Sequence, residues 1–127
     1  MTMKIDFMVP TVDGPVAATG YRVWLLVGKT TRPFVLQITG IHDTPSQLTD
    51  YASGYKVHDM APDQLAFQVM RGDFSTPSVA VWRARAQAII QRLVEKHGEE
   101  TLLAKMDAVP VLNGKPTLPL APDPYLR

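Results

Sequence analysis

The chain of 127 residues contains no cysteine. That excludes disulfide staples, thiolate nucleophiles and cysteine-ligated zinc together. It fits a reducing compartment, and the expectation is a cytoplasmic protein. Long apolar runs are missing too. No stretch approaches the ~18 consecutive apolar residues of a spanning helix, so no membrane partner is expected. The opening "MTMKIDFMVP" meets Asp6 and then Pro10 before the apolar region of a leader develops, and no secretory signal is expected. Nor is there an excess of charge of one sign. Thirteen basic side chains face twelve acidic ones, for a formal net charge of +1. A site for a polyanion would therefore have to come from local clustering. Ser53 and Ser75 lack the G-x-S-x-G setting of an activated nucleophile, and the paired carboxylates Glu99 and Glu100 open a helical stretch. No glycine-rich phosphate loop is present. No catalytic, metal-binding or cofactor-binding residue is assigned, and no cofactor is expected.

Apolar material is plentiful, at 46% of the residues, enough for one core without staples. Residues 3–9 alternate, with Met3, Ile5, Phe7 and Val9 on one side, and read as a half-buried strand. "TVDGPVAATG" reads as turn material. "YRVWLLVG" (21–28) is apolar on both parities, the mark of a central strand covered on both faces. "FVLQITGI" (34–41) alternates again, and the connector "KTTRP" between them predicts an antiparallel hairpin. "HDTPSQLTD" reads as a polar loop, and "YASGYKV" (51–57) as a fourth strand bent at Ser53-Gly54. "PDQLAFQVM" (62–70) leans towards a fifth strand.

The clearest signal is a long helix over about 77–97. Thr76 suits the N-cap and Pro77 the first turn. Trp82, Ala86, Ile89, Ile90, Leu93 and Val94 fall within an arc of roughly 140°. Gly98 is placed to be the left-handed residue after the helix, and "EETLLAKM" predicts a second short helix. From Val109 onward the chain holds five of its eleven prolines and should be extended. The expected architecture is α+β: an antiparallel sheet of four or five strands, one long C-terminal helix packed on one face, a short second helix and an extended proline-rich tail. Residues 1–108 would form one domain, with 109–127 a tail docked on it or swapped between copies.

Four features compete as sites. "GIHDTP" and "YKVHDMAP" each carry a His-Asp pair. Strand parity puts His42 on the core-facing side and His58 towards solvent, and both aspartates suit turns at strand exits. Arg85, Arg92 and Lys96 form a narrow basic stripe beside the apolar arc, suited to phosphates or an acidic partner. A solvated helix flank is the plainer reading. Arg83 falls inside the apolar arc and must be paired or reach solvent. With His42 it is a candidate pocket anchor. Tyr51 and Tyr55 around a glycine bend would suit a contact surface, or plain cross-strand packing. The leading expectation is a small non-enzymatic binding or adaptor domain, a homodimer, associating with itself or another protein through a sheet edge, the helix or the tail. The alternatives are a nucleic-acid-binding module using the basic stripe, and a small-ligand binder or enzyme with a pocket between sheet and helix.

Overall fold

A computed structural model describes residues 4–38, 45–60 and 78–114. The chain forms a five-stranded antiparallel sheet in simple order, β1 to β5, with two helices after it. The strands are β1 (Lys4–Val9), β2 (Val16–Val27), β3 (Thr30–Ile38), β4 (Pro45–Asp50) and β5 (Lys56–Asp59). The helices are α1 (Ser78–His97) and α2 (Glu99–Asp107). No helix among the described residues is long and apolar enough to cross a membrane. The α+β architecture and the long helix on the sheet are as expected.

Two periodicities meet in the main core. Val23, Leu25 and Val27 of β2 share a face with Phe34 and Leu36 of β3 and Leu48 of β4. Against them α1 lays Trp82, Ala86, Ile89 and Ile90, and α2 adds Leu102 and Met106. Leu93 and Val94 pack at the margin, so the arc drawn from the helical period is the one that is buried. Each large side chain removed from water here contributes on the order of 1.5–3 kcal/mol. The other parity of the sheet is buried as well. Phe7, Trp24 and Val35 are nearly inaccessible, and the cross-strand register puts them on the face opposite the helices. The doubly apolar pattern of residues 21–28 reflects this two-sided burial.

The turns lie elsewhere than "KTTRP" and "YASGYKV" suggest. β2 and β3 are joined by Gly28-Lys29 alone, since Val27 pairs with Thr30. Gly28 has φ +63 and Lys29 does not share the positive φ, the pattern of a type II′ hairpin. Pro33 is tolerated inside β3 because β4 ends at Asp50, opposite Phe34. The main-chain edge of Pro33 that would face β4 meets Tyr51 instead, whose N–H donates to the Pro33 carbonyl at 3.2 Å. Residues 45–50, expected as loop, are a strand, and residues 51–54 are the turn after it. β4 has only one large apolar side chain, Leu48, because Thr49 and Asp50 are buried with polar partners supplied by β3. Residues 62–70, Thr76 and Pro77 lie outside the described residues. Gly98 takes the expected positive φ of 91, but with ψ 149, a region reserved for glycine rather than the left-handed helical well.

Candidate functional site

A sheet of five strands has two edges, and how each is closed determines what the surface can bind. β2 is twelve residues long and serves two partners. β1 pairs with residues 16–21 and β3 with residues 19–27. Beyond the end of β1, the β2 edge is covered by α1. The Gln87 side-chain amide accepts from Leu26 N at 2.9 Å and donates to Leu26 O at 2.8 Å. One turn earlier, Arg83 Nη2 donates to Trp24 O at 3.4 Å. Leu26 and Trp24 are two residues apart and turn their peptide groups to the same side. The i, i+4 pair Arg83 and Gln87 thus lies along that side like a short strand. Leaving two partly buried peptide groups without partners would cost about 1–3 kcal/mol each, which is why a glutamine suits this position.

Among the described residues, the outer edge of β1 is closed by the same device at Met8. Asn113 Oδ1 accepts from Met8 N at 2.7 Å, and Nδ2 donates to Met8 O at 2.9 Å and to Tyr51 O at 2.7 Å. Leu112 N and Asn113 N both donate to Ala52 O at 2.9 Å. The segment 112–113 therefore staples β1 to the turn after β4. Gly54 makes this closure possible, since a Cβ there would meet Met8 O and Val9 Cα. Two residues before Met8, Asp6 turns its peptide groups to the same outer edge. It is exposed, and its carboxylate accepts from Thr19 Oγ1 at 3.1 Å on the neighbouring strand. Lys4 follows on the same edge, also exposed.

Beneath the turn lies a buried polar network. Arg32 holds Asp50 with two parallel bonds, Nε to Oδ1 at 2.7 Å and Nη2 to Oδ2 at 3.2 Å. Its Nη1 reaches Asp107 at the end of α2, at 2.9 Å. The Asp50 side chain is fully buried. Its Oδ2 also accepts from Ser53 Oγ at 2.8 Å and Ser53 N at 3.3 Å. Ser53 Oγ in turn accepts from Tyr55 N. Burial works against the Arg32 charge, but the bonds to Asp50 and Asp107 outweigh it and hold the guanidinium above its ordinary pKa. Arg32 is therefore charged at every working pH. Ser53 is occupied as a structural hydroxyl. Two residues before Arg32 on β3, Glu99 accepts from Lys29 N at 3.1 Å and Thr30 Oγ1 at 3.0 Å. This first-turn acid is more than a dipole complement, for it caps the β2–β3 hairpin.

The residues singled out from the sequence are scattered among these elements. Arg83 is buried, at 6% exposure, and it faces a main-chain carbonyl of β2. The space between sheet and helices beside it is occupied by the core cluster. His42 lies outside the described residues. Arg92 and Lys96 are exposed and Arg85 half-buried, so the stripe is present on the helix flank. Tyr55 packs against the main core. Tyr51 has the Arg22 guanidinium over its ring, 5.9 Å from the centroid. The two tyrosines therefore serve different environments. His58 is exposed, as its parity indicates, and its Nδ1 lies 2.8 Å from Asp59 O. The Asp59 carboxylate pairs with Lys56 Nζ at 2.7 Å. The hydrogen bond and charge of Lys56 pull its pKa below the ordinary 3.8. That pairing is present above the usual aspartate range and is lost as the pH falls through the lowered value. Among the described residues no group of three or more His, Asp or Glu is placed to hold a metal. Asn113, Gln87 and Arg32 carried no motif. The one local cue was "NG", a turn dipeptide.

Comparison of the chain with protein-family models, with curated proteins and with solved structures returns no match.

Proposed function

We propose that the chain is a small non-enzymatic binding or adaptor domain that associates with a second copy of itself through the outer edge of β1. The observation that supports this is the state of that edge. Met8 is capped by Asn113, whereas Asp6 beside it is exposed on the same edge. Two such edges related by a twofold axis at Ile5 would set Lys4 of each copy opposite Asp6 of the other. Opposite charges directly across a strand pair contribute roughly 0.2–1 kcal/mol each. The Asn113 cap at Met8 limits how far the pairing can slip, which fixes the register. An isologous contact of this kind closes on itself as a dimer.

The test is sedimentation analysis over a wide concentration range, on wild type and on Asp6→Pro. The Asp6 N–H points away from β2, so proline there removes an outward donor and leaves the β1–β2 ladder intact. We expect a wild-type dimer, and at least about tenfold weaker association in the variant, or roughly 1.4 kcal/mol, with an unchanged circular dichroism spectrum. A wild type that stays monomeric throughout, or a variant that dimerises as well as wild type, would refute the edge contact.

A second reading is favoured by Arg92 and Lys96, exposed one turn apart on α1 with Arg85 on the same flank. It makes this flank a nucleic-acid contact. Binding to a pool of single-stranded oligonucleotides would then weaken with salt, with a log–log slope that drops by about 0.7 for each phosphate contact removed. The variant Arg92→Ala/Lys96→Ala should flatten the slope. Absence of binding at low salt would end that reading.

A further inference from the structure

Asn113 is the only asparagine in the chain, and Gly114 follows it. Asparagine followed by glycine is chemically labile, because no side chain on the second residue hinders its amide nitrogen. Here the glycine is also demanded by the backbone. Gly114 has φ +81, which other residues rarely adopt. A Cβ there would meet nothing within 4 Å among the described residues, so it is the backbone conformation and not crowding that calls for glycine. The turn that delivers the Asn113 amide to Met8 and Tyr51 thus places beside it the one residue type that makes that amide vulnerable.

We propose that Asn113 is a site of spontaneous deamidation, and that the reaction opens the staple between β1, the 51–54 turn and the C-terminal segment irreversibly. The Gly114 nitrogen bonds to Asn113 Cγ and gives up its proton, Nδ2 takes a proton, and the Cγ–Nδ2 bond breaks to release ammonia. The resulting five-membered imide then takes up one water. Hydrolysis at Cγ gives aspartate, and hydrolysis at the main-chain carbonyl gives isoaspartate. No oxidant, metal or enzyme enters the balance.

The fold controls both the rate and the consequence. In the closed staple Nδ2 donates to Met8 O and Tyr51 O, and Oδ1 accepts from Met8 N. The amide must leave all three partners before Cγ can be attacked and Nδ2 expelled. Deamidation therefore follows local opening. Afterwards the staple cannot re-form. A carboxylate oxygen would stand where Nδ2 stood, facing two carbonyl oxygens with no proton to offer either. Residues 109–114 come away, and the outer edge of β1 loses its cap at Met8. This holds whether or not that edge pairs with a second copy.

The experiment is intact-mass spectrometry and peptide mapping of the full chain aged at mildly alkaline pH, folded and in urea, with hydrogen exchange read at Met8. We expect conversion at Asn113 to be at least about tenfold faster in urea. We also expect the Met8 amide to exchange at least about tenfold faster in folded chains that carry the modification. Asn113→Asp should reproduce the exchange change. The aged wild type gives the same readout should that variant fold poorly. Equal conversion rates in the two states, or Met8 protection that survives modification, would overturn the proposal.

Discussion

Replacing Asp50 with alanine is expected to destabilise the fold by about 3–5 kcal/mol, the usual cost of removing one partner of a buried ion pair. The carboxylate accepts two bonds from Arg32 and two from Ser53. Its loss leaves the guanidinium with Asp107, a side chain that is 63% exposed and so a weaker partner. Total stability for a domain of this kind is only ~5–15 kcal/mol, so this one change removes about a fifth of it or more. Asp50→Asn distinguishes charge from shape. It keeps an acceptor for Ser53 and loses the ion pair, and should cost less than alanine. The decisive measurement is a double-mutant cycle by urea denaturation, combining Asp50→Leu with Arg32→Met. Direct contact predicts a coupling energy towards the upper end of ~0.5–3 kcal/mol. The apolar double variant should recover most of the loss, because two buried charges of that kind are often replaceable together. A loss below about 1 kcal/mol for Asp50→Ala would mean that the pair behaves as an exposed one.

The same network explains why β4 was hidden in the sequence. A strand is legible when its alternation is apolar against polar, as in Ile5, Phe7 and Val9 of β1. In "PSQLTD" the buried positions include Thr49 and Asp50, satisfied by Gln37 and Arg32 of the neighbouring strand. Such a pattern carries no hydrophobic period, because the solvation lost on burial is replaced by bonds from residues far along the chain. The helix α1 lies at the other extreme. Its burial is apolar and local in period, so the arc from Trp82 to Val94 could be drawn from spacing alone. Arg83 was legible as a buried cation on that arc, but its position along the β2 edge depends on where β1 ends. The stapling residue was the least legible. Asn113 lies 105 residues from Met8, and nothing in "VLNGK" indicates which strand edge its amide will meet. The flank of Arg85, Arg92 and Lys96 was legible, because a helical period alone sets a flank. The edge of β1 was not, because an edge is a property of the assembled sheet.

Gly20 is the position where strand propensity and the structure make opposite forecasts. It sits in the middle of β2, opposite Ile5 of β1 and Gln37 of β3. Propensity favours a β-branched residue in a strand interior by up to ~1 kcal/mol. The structure forbids it. A Cβ on Gly20 would strike the Leu36 carbonyl oxygen and Val35 Cγ1. Leu36 cannot retreat cheaply, since its side chain is fully buried in the main core and it pairs with Leu48 of β4. A glycine at such a point admits the close approach of the neighbouring backbone. The strand that pairs with β2 across Gly20 is β1, whose end meets the 51–54 turn at Met8 and Gly54. Gly20→Ala should therefore cost about 1–3 kcal/mol of overpacking, offset in small part by a less flexible unfolded chain, by ~0.4–1 kcal/mol. Gly20→Val should cost more, about 3 kcal/mol or above. Because β1 pairs with β2 across Gly20, the same change should speed hydrogen exchange at Met8, far from the substitution in sequence. Ala17→Val serves as the control, for Ala17 is exposed on the same strand and should be neutral or slightly stabilised. Thermal unfolding of the three variants decides the matter. A Gly20→Val protein as stable as wild type would show that the β3 backbone does not crowd this residue, and that the staple at Met8 closes without a glycine there.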